Sequence, residues 1–217
     1  MRRLRPWIVI GVLVLSGGGV LAVTSLPYLP VIDGTTADEL ERLAAWLDAQ
    51  PGARVADLGA GEGMFAIALA RRVGFGGHLY ATDIDDERLA DIRQAAATAK
   101  LSNVTVIKGA VSRTNLPEAC CDAIFSRFVY HHLTDPAAIN TDLFRALRPG
   151  GRLVIIDFEP GGIMDWIGRP ETAERHGGHG TPKKTVLSEV EAARAGVVAR
   201  PELRGAVQNA LEAERCR

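Results

Sequence analysis

Three alternating glycines follow a short apolar run in the first third of the chain. Residues 54–63 read Arg-Val-Ala-Asp-Leu-Gly-Ala-Gly-Glu-Gly, so Asp57 stands two residues before Gly59, with Gly61 and Gly63 behind it. Glycine adopts a positive φ and lets a ligand approach the backbone without a Cβ in the way. An alanine-rich helical pattern comes next, and the start of a helix directs unpaired N–H groups at such a ligand. This order of strand, glycine loop and helix predicts a nucleoside-binding site.

Asp57 separates two classes of nucleoside ligand. The same stretch fits Gly61-x-Gly63-x-x-Ala66, a form of the fingerprint that binds a dinucleotide pyrophosphate. A buried carboxylate beside a pyrophosphate adds like-charge repulsion in a crevice of low dielectric constant. The same carboxylate attracts a ligand that carries an ammonium and a sulfonium. Asp57 therefore favours the cationic ligand, and an NAD(P)-dependent oxidoreductase of the Rossmann type is the alternative.

A second acid follows the next predicted strand. Asp83 comes twenty residues after Gly63, directly behind the apolar run 78–82. In nucleoside-binding folds an acid at this place accepts hydrogen bonds from the ribose hydroxyls. Asp83 and Asp85 also suit the N-cap of the following helix. We expect Asp83 to bind ribose and Asp85 to cap the helix.

Two adjacent histidines leave the fourth predicted strand of the chain's central part. His131 and His132 lie behind this strand, and Asp157 lies at the end of the fifth strand. Ligands of open α/β sheets bind outside the carboxyl ends of the strands. Either histidine is a candidate general base, with His131 preferred, and the alternative is a packed histidine that caps a helix. Asp157 is a candidate for orienting the substrate, and the spacing predicts no metal site.

Short apolar strands alternate with amphipathic helices from residue 37 to residue 158. Strands are predicted at 54–58, 78–82, 104–107, 123–126 and 152–158, and helices at 64–72, 86–100 and 136–147. This alternation predicts an α/β fold with a doubly wound, mostly parallel sheet and helices on both faces.

The ordered motifs resemble those of class I S-adenosylmethionine (SAM) methyltransferases that act on small molecules. They are Asp-x-Gly-x-Gly-x-Gly, the acid after strand two, the histidine-bearing exit of strand four and the turn Leu147-Arg148-Pro149-Gly150-Gly151. The resemblance implies SAM as cofactor, a small-molecule methyl acceptor and a methyltransferase domain over residues 37–200. The cofactor contacts that it implies are Asp57, Gly59, Ala60, Gly61, Gly63, Asp83, Ile84, Ala110, Val111 and Arg127.

Two departures from the family pattern limit this resemblance. Ala110 stands where the family often has an acid for the adenine amino group, so backbone groups and Val111 are expected to hold the adenine. A helix over 185–195 is predicted to stop at Gly196, and a sixth strand to start at Val197-Val198. The tail 201–217 looks helical, so the closing antiparallel strand pair of the family is degenerate and strand 152–158 is an exposed edge. A SAM-binding but catalytically impaired protein is therefore a further alternative.

The N-terminal region carries a separate apolar segment. Residues 7–23 are nearly all apolar, and Arg2, Arg3 and Arg5 precede them. This pattern predicts a signal anchor with a transmembrane helix, or a cleaved signal peptide, over residues 1–30; a buried helix of the domain is the third possibility. An anchor or signal peptide implies a membrane-anchored or exported protein with an extracytoplasmic domain.

Bulk composition narrows the range of partners. The 217 residues carry a net charge of −1, which provides no electrostatic footprint for nucleic acid. Three cysteines, two of them adjacent, do not resemble a disulfide framework. The length suits one domain, and we expect a monomer.

Overall fold

A seven-stranded sheet forms the centre of the molecule. The computed structural model describes residues 7–13, 23–25, 36–158 and 180–199. The strands are β1 (Trp7–Leu13), β2 (Val23–Ser25), β3 (Arg54–Leu58), β4 (His78–Asp83), β5 (Val104–Lys108), β6 (Cys121–Arg127) and β7 (Leu147–Phe158). Their order is β2-β1-β7-β6-β3-β4-β5, in which β3 to β7 are parallel and β1 and β2 antiparallel.

Helices cover both faces of this sheet. They are α1 (Thr36–Leu47), α2 (Met64–Val73), α3 (Asp86–Thr98), α4 (Pro136–Ala146) and α5 (Lys183–Ala199), with a 3-10 turn at Tyr130–His132. One core cluster joins α1, α2 and α3 to the sheet around Leu43, Leu69 and Ile92. The other cluster joins α4 and α5 to the opposite face around Leu143 and Val190. The predicted doubly wound α/β fold with a mostly parallel sheet is confirmed.

The turn that the sequence predicts at residues 147–151 lies within strand β7. Leu147 pairs with Cys121 and Arg152 pairs with Ala123, so the intervening residues of β7 bulge out of the ladder. Gly150 has a φ of 81°, a left-handed conformation that favours glycine. The expected sharp turn is present, although the strand begins at Leu147. At the buried start of β6, Cys120 and Cys121 form a disulfide that the cysteine spacing did not predict.

The region after residue 180 corrects two predictions. Helix α5 continues through Gly196, so the predicted stop there is wrong, and Val197-Val198 belong to this helix rather than to a sixth strand. Val186, Val190 and Ala193 repeat at helical spacing and are buried. Such burial outweighs one interior glycine, which costs a helix only about 1 kcal/mol. Residues 159–179 and the tail 201–217 lie outside the described residues.

The N-terminal segment lies in the sheet. Strand β1 runs antiparallel to β7 with Trp7 opposite Phe158 and Leu13 opposite Arg152, and β2 pairs with its other side. Among the described residues no helix has the length and apolar character needed to cross a bilayer. The structure therefore does not support the predicted transmembrane helix. The β-branched residues of Trp-Ile-Val-Ile-Gly-Val-Leu suit a strand.

Strand β1 also changes the expected sheet edge. The prediction that strand 152–158 is an exposed edge is wrong, because β1 pairs with β7 along its length. An antiparallel strand pair therefore does border the parallel strands, but the N-terminal part of the chain supplies it. An unpaired edge invites association with other strands, and β1 removes that liability from β7.

Proline in β1 tests this pairing. Ile10 lies between Ile155 of β7 and Ser25 of β2, so Ile10→Pro removes a ladder donor from a central strand position. We expect the free energy of unfolding in urea to fall by about 2 kcal/mol or more. Ile10→Val is the control, because valine keeps the backbone donor and suits a strand. Equal unfolding curves for the wild type and the proline variant would contradict the position of β1 in the sheet.

Candidate active site

The glycine loop between β3 and α2 opens at the carboxyl edge of the sheet. Gly59, Gly61 and Gly63 have φ values of 71°, 56° and 81°. A Cβ on Gly59 would collide with Val129, whereas a Cβ on Gly61 would meet nothing within 4 Å. Gly59 therefore allows close packing inside the protein, and Gly61 faces open space. This is the geometry expected of a loop that a ligand approaches.

The loop is attached to the end of β4. The N–H groups of Gly59 and Ala60 donate to the carbonyl of Thr82 at 2.8 and 2.9 Å. The N–H of Gly61 donates to Oδ2 of Asp83 at 3.0 Å. These bonds bring the two acids predicted from the sequence, Asp57 and Asp83, to one edge. Their roles toward a ligand stay predictions.

Asp57 is a buried acid at the end of β3. Its side chain is 3% exposed, and no hydrogen bond reaches its carboxylate from the described residues. Burial, followed by the charge of Asp83, raises the pKa of Asp57 to about 8, while Arg127 acts in the opposite direction. A buried ionised carboxylate is costly unless a cation or a set of donors compensates it. The site therefore suits a cationic ligand group at this position.

Asp83 and Asp85 were each considered for ribose binding and for capping of α3, and they accept different hydrogen bonds. Asp85 is the N-cap of α3 and accepts from the N–H of Glu87 at 2.7 Å and of Arg88 at 3.3 Å. Asp83 accepts one backbone N–H on each carboxylate oxygen, from Gly61 and from Asp85. Each carboxylate oxygen has a second lone pair, so Asp83 can still accept hydrogen bonds from ribose hydroxyls.

Apolar side chains are exposed beside these acids. Ile84 follows β4 and is 63% exposed, and Val111 follows β5 and is 59% exposed. The N–H of Gly109 donates to the carbonyl of Asp83 at 2.8 Å, which holds the ends of β4 and β5 together. Ala110 pairs with Arg113 in a tight turn that uses the Ala110 N–H. Ile84 and Val111, both predicted cofactor contacts, thus present apolar surface at this edge, and their roles toward a ligand stay predictions.

Arg127 at the end of β6 is fixed by a residue that the sequence reasoning missed. Its Nε and Nη2 bind Oε1 and Oε2 of Glu39 in α1 at 2.6 and 3.0 Å. Its guanidinium carbon lies 4.0 Å from the ring centroid of Phe128 and 4.9 Å from that of Phe65. Phe128 has a φ of 60°, which is rare for a bulky residue and marks local strain at this edge.

His131 and Asp157 form a buried pair. Their side chains are 6% and 2% exposed, and Nδ1 of His131 lies 2.6 Å from Oδ1 of Asp157. The backbone N–H of His131 donates to Oδ2 of the same carboxylate at 2.8 Å. A carboxylate on Nδ1 assigns the proton to that nitrogen and the lone pair of the neutral ring to Nε2. This is the relation between a base and the group that orients it.

The residues around His131 are closely packed. The ring centroids of His131 and His132 are 3.9 Å apart in the 3-10 turn. Tyr130 is fully buried, and its hydroxyl accepts from Asn140 at 2.8 Å and donates to Glu189 at 3.0 Å. Burial raises the pKa of Tyr130 well above its ordinary value.

Metal ligation finds no support in this part of the chain. The described residues contain no group of three or more histidine, cysteine, aspartate or glutamate side chains that could hold a metal ion. His176 and His179 lie outside the described residues.

Comparison with known proteins agrees with the geometry. Residues 56–155 match the family model of a methyltransferase domain. A ubiquinone/menaquinone biosynthesis C-methyltransferase of Vibrio cholerae is 32% identical over 111 residues, or 51% of this chain and 43% of that protein. An arsenite methyltransferase of Halobacterium salinarum is 30% identical over 107 residues, or 49% of this chain and 27% of that protein. The chain thus spans less than half the length of these curated relatives.

A solved structure extends the likeness beyond the matched sequence. A SAM-dependent methyltransferase from Aquifex aeolicus has a TM-score of 0.60 at 26% identity, covering 71% of this chain and 78% of that one. Residues 56–155 are therefore similar in sequence to a methyltransferase domain, and the fold is similar to that of a SAM-dependent methyltransferase. The cofactor of this type of domain is SAM, and the uncompensated carboxylate of Asp57 fits its cationic groups.

The stability of the ligand-free protein is expected to report the burial of Asp57. Because its pKa is raised from 3.8 in the unfolded chain to about 8 in the folded state, stability is expected to fall as the pH rises from about 4 to about 8, where the loss is complete. Each unit of pKa shift corresponds to about 1.4 kcal/mol, so Asp57→Asn is expected to be more stable than the wild type at pH 9 by a few kcal/mol.

Melting temperatures measured between pH 5 and pH 9 check this expectation. Asp85→Asn is a matched control, because Asp85 is exposed and asparagine caps a helix as well as aspartate does. If the wild type is as stable as Asp57→Asn at pH 9, burial does not destabilise the ionised form of Asp57.

Proposed function

We propose that the protein transfers the methyl group of SAM to a small-molecule acceptor. The observation that carries this proposal is the buried carboxylate of Asp57, which has no hydrogen-bond donor from the described residues and lies beside the open glycine loop. A pyrophosphate ligand would be repelled by that carboxylate once it ionises, which argues against the NAD(P)-dependent alternative.

The proposed cofactor-binding residues make different kinds of interaction with the ligand. Asp57 attracts cationic groups, Asp83 accepts hydrogen bonds from the ribose, and the glycine loop allows close approach. Ile84 and Val111 provide apolar surface for the adenine. The exposed fractions of these two side chains, 63% and 59%, support the assignment, because a planar base would cover both.

His131 is proposed as the base that takes a proton from the acceptor, with Asp157 as its orienting group. SAM, when bound, supplies an electrophilic methyl group on its sulfonium. The chain contributes an imidazole whose Nδ1–H donates to Oδ1 of Asp157, so that Nε2 is the nitrogen that accepts the proton. Asp157 then stabilises the imidazolium that forms when Nε2 accepts the proton. A base of this kind suits an acceptor with an acidic O–H or N–H group.

The names of the relatives suggest which acceptors to test. One relative is a C-methyltransferase of ubiquinone/menaquinone biosynthesis, and another is an arsenite methyltransferase. We propose a hydroxylated ring, such as a hydroquinone, ahead of arsenite, because a hydroquinone loses a proton to the proposed base as its ring becomes nucleophilic. The buried disulfide of Cys120 and Cys121 leaves no accessible thiol pair for arsenite among the described residues.

Export or membrane anchoring stays a proposal that rests on the arginines and the apolar segment 7–23. Pairing of β1 with β7 and insertion of the same residues into a bilayer exclude each other in one molecule. Cell fractionation tests whether the protein is in the membrane. Urea unfolding of the purified Ile10→Pro variant tests whether β1 pairs with β7. A monomer is likewise proposed, and sedimentation tests it.

Calorimetry with SAM and with NAD tests the cofactor assignment. SAM is expected to bind the wild type, and Asp83→Ala is expected to weaken it about tenfold to a hundredfold, because hydrogen bonds to a charged group contribute about 1.5–3 kcal/mol. Asp91→Ala on the exposed side of α3 serves as the control. Binding of NAD, or failure of SAM to bind, contradicts the proposal. Binding without methyl transfer to any acceptor would favour the impaired-enzyme alternative.

Replacement of the histidines tests the proposed base. With a hydroquinone acceptor we expect His131→Ala to lower kcat by about 100-fold to 10,000-fold and to leave SAM affinity unchanged. Asp157→Asn is expected to lower kcat as well, because the amide favours the wrong tautomer. His132→Ala is the neighbouring control, since His132 is exposed. Unchanged turnover of a folded His131→Ala enzyme would remove this residue as the base.

A further inference from the structure

Glu39 occupies an unexplained position beside the cofactor site. It belongs to the first turn of α1, where no motif indicated a function, yet its carboxylate binds Arg127 through both oxygens. The side chains of Glu39 and Arg127 are 14% and 25% exposed, so this ion pair is partly shielded from solvent. Such shielding makes its electrostatic effect on neighbouring groups larger than that of a surface pair.

The guanidinium of Arg127 is hydrogen-bonded to Glu39 and not to Asp57. Two of the three guanidinium nitrogens of Arg127 are directed at Glu39, and the faces of Phe128 and Phe65 hold the group in place. The charge of Arg127 nevertheless reaches Asp57, since it lowers the pKa that burial and Asp83 raise. Glu39 thus takes the hydrogen bonds of the cation that acts on Asp57.

The groups that face Asp57 carry more negative than positive charge. Asp83 of β4 and Arg127 of β6 act on Asp57 directly, and Glu39 of α1 is bound to Arg127. Helix α2 presents Phe65 here, and its arginines lie in its last turn. With Asp57 ionised, three acids stand against one arginine, which leaves two negative charges uncompensated. His131 and Asp157, one strand farther along, form a pair of their own.

We propose that Glu39 is a positioning residue of the cofactor site, which acts through Arg127 to leave Asp57 protonated until a cationic ligand arrives. Binding of the ligand then exchanges the proton of Asp57 for the ligand's positive charge, and the proton passes to the buffer. This inference rests on the proposed binding of SAM. It adds that SAM binding is coupled to proton release and that a residue of α1 sets the pH at which this happens.

The product of methyl transfer has one positive charge fewer. S-adenosylhomocysteine keeps the ammonium but has a neutral sulfur, so it compensates the Asp57 carboxylate less well. The ratio of SAM affinity to product affinity is therefore expected to rise with pH. Asp57 and Glu39 would together favour exchange of product for fresh cofactor.

Titration calorimetry in two buffers of different ionisation enthalpy measures the proton release. We expect the wild type to release about one proton per SAM more than Asp57→Asn does at pH 7, and the same number as Asp57→Asn at pH 9.5, where Asp57 is already ionised. Comparison with Asp57→Asn removes the titration of the ligand's own α-amino group, whose pKa is about 8. Glu39→Gln leaves Arg127 uncompensated, so its release is expected to fall off about one pH unit lower than in the wild type. Glu39→Asp is expected to restore part of the shift.

Glu41→Gln is a matched control on the same helix. Glu41 also binds an arginine through both oxygens, at 2.8 Å from Nη1 of Arg72, but this pair lies on the surface away from Asp57. The control is expected to behave like the wild type. A Glu39→Gln profile that matches Glu41→Gln, or proton release by the wild type at pH 7 that equals that of Asp57→Asn, overturns the inference.

A ligand-free measurement separates failure of this inference from failure of the proposed function. The pH at which the decline of apo stability ends is set by the folded-state pKa of Asp57, so it is expected to be lower in Glu39→Gln than in the wild type and in Glu41→Gln, whether or not SAM binds. If SAM does not bind, the cofactor assignment fails while this titration still decides the role of Glu39. If the decline is unchanged in Glu39→Gln, the positioning role is wrong even when SAM binds.

Discussion

An uncompensated carboxylate at the end of the central strand constrains the whole edge of this sheet. Asp57 lies on β3 between Ala81 of β4 and Phe125 of β6, so both neighbouring strands exclude water from it. The chain could have bonded Asp57 to Arg127, but Glu39 takes the fork of that guanidinium. The open side of the glycine loop is then the direction from which compensation can come. The burial of the Asp57 carboxylate is thus also the reason why this edge favours a cationic ligand.

Local signals made this part of the fold predictable from sequence. Strand β3, the glycine loop and helix α2 were predicted within one residue, because an apolar run, glycines that need positive φ and an amphipathic repeat are all adjacent in the chain. Asp85 was likewise identified as a cap, and it accepts two N–H groups. The joint position of Asp57 and Asp83 followed from the rule that parallel strands end at one edge. Each of these inferences needed no partner from a distant segment.

Contacts between residues that are far apart in the chain account for the features that the sequence did not predict. The pair of Glu39 and Arg127 spans 88 residues, and neither residue has a distinctive local pattern. The apolar residues 7–23 satisfy the pattern of a spanning helix, but Trp7–Leu13 becomes a strand because β7 provides a ladder beside it. Burial of Val190 and Ala193 extends α5 past Gly196, against the local stop signal. Tyr130 is held by Asn140 and Glu189 from two different helices.

The N-terminal strand also bears on the candidate base. Ile8 of β1 stands opposite Asp157, the β7 residue whose carboxylate holds His131 at two points. Without β1, this side of β7 would meet water, which competes for hydrogen bonds and raises the local dielectric constant. Strand β1 therefore covers the backbone edge of β7 beside the residue that binds His131. Closing this sheet edge also keeps water from the β7 backbone next to the proposed base.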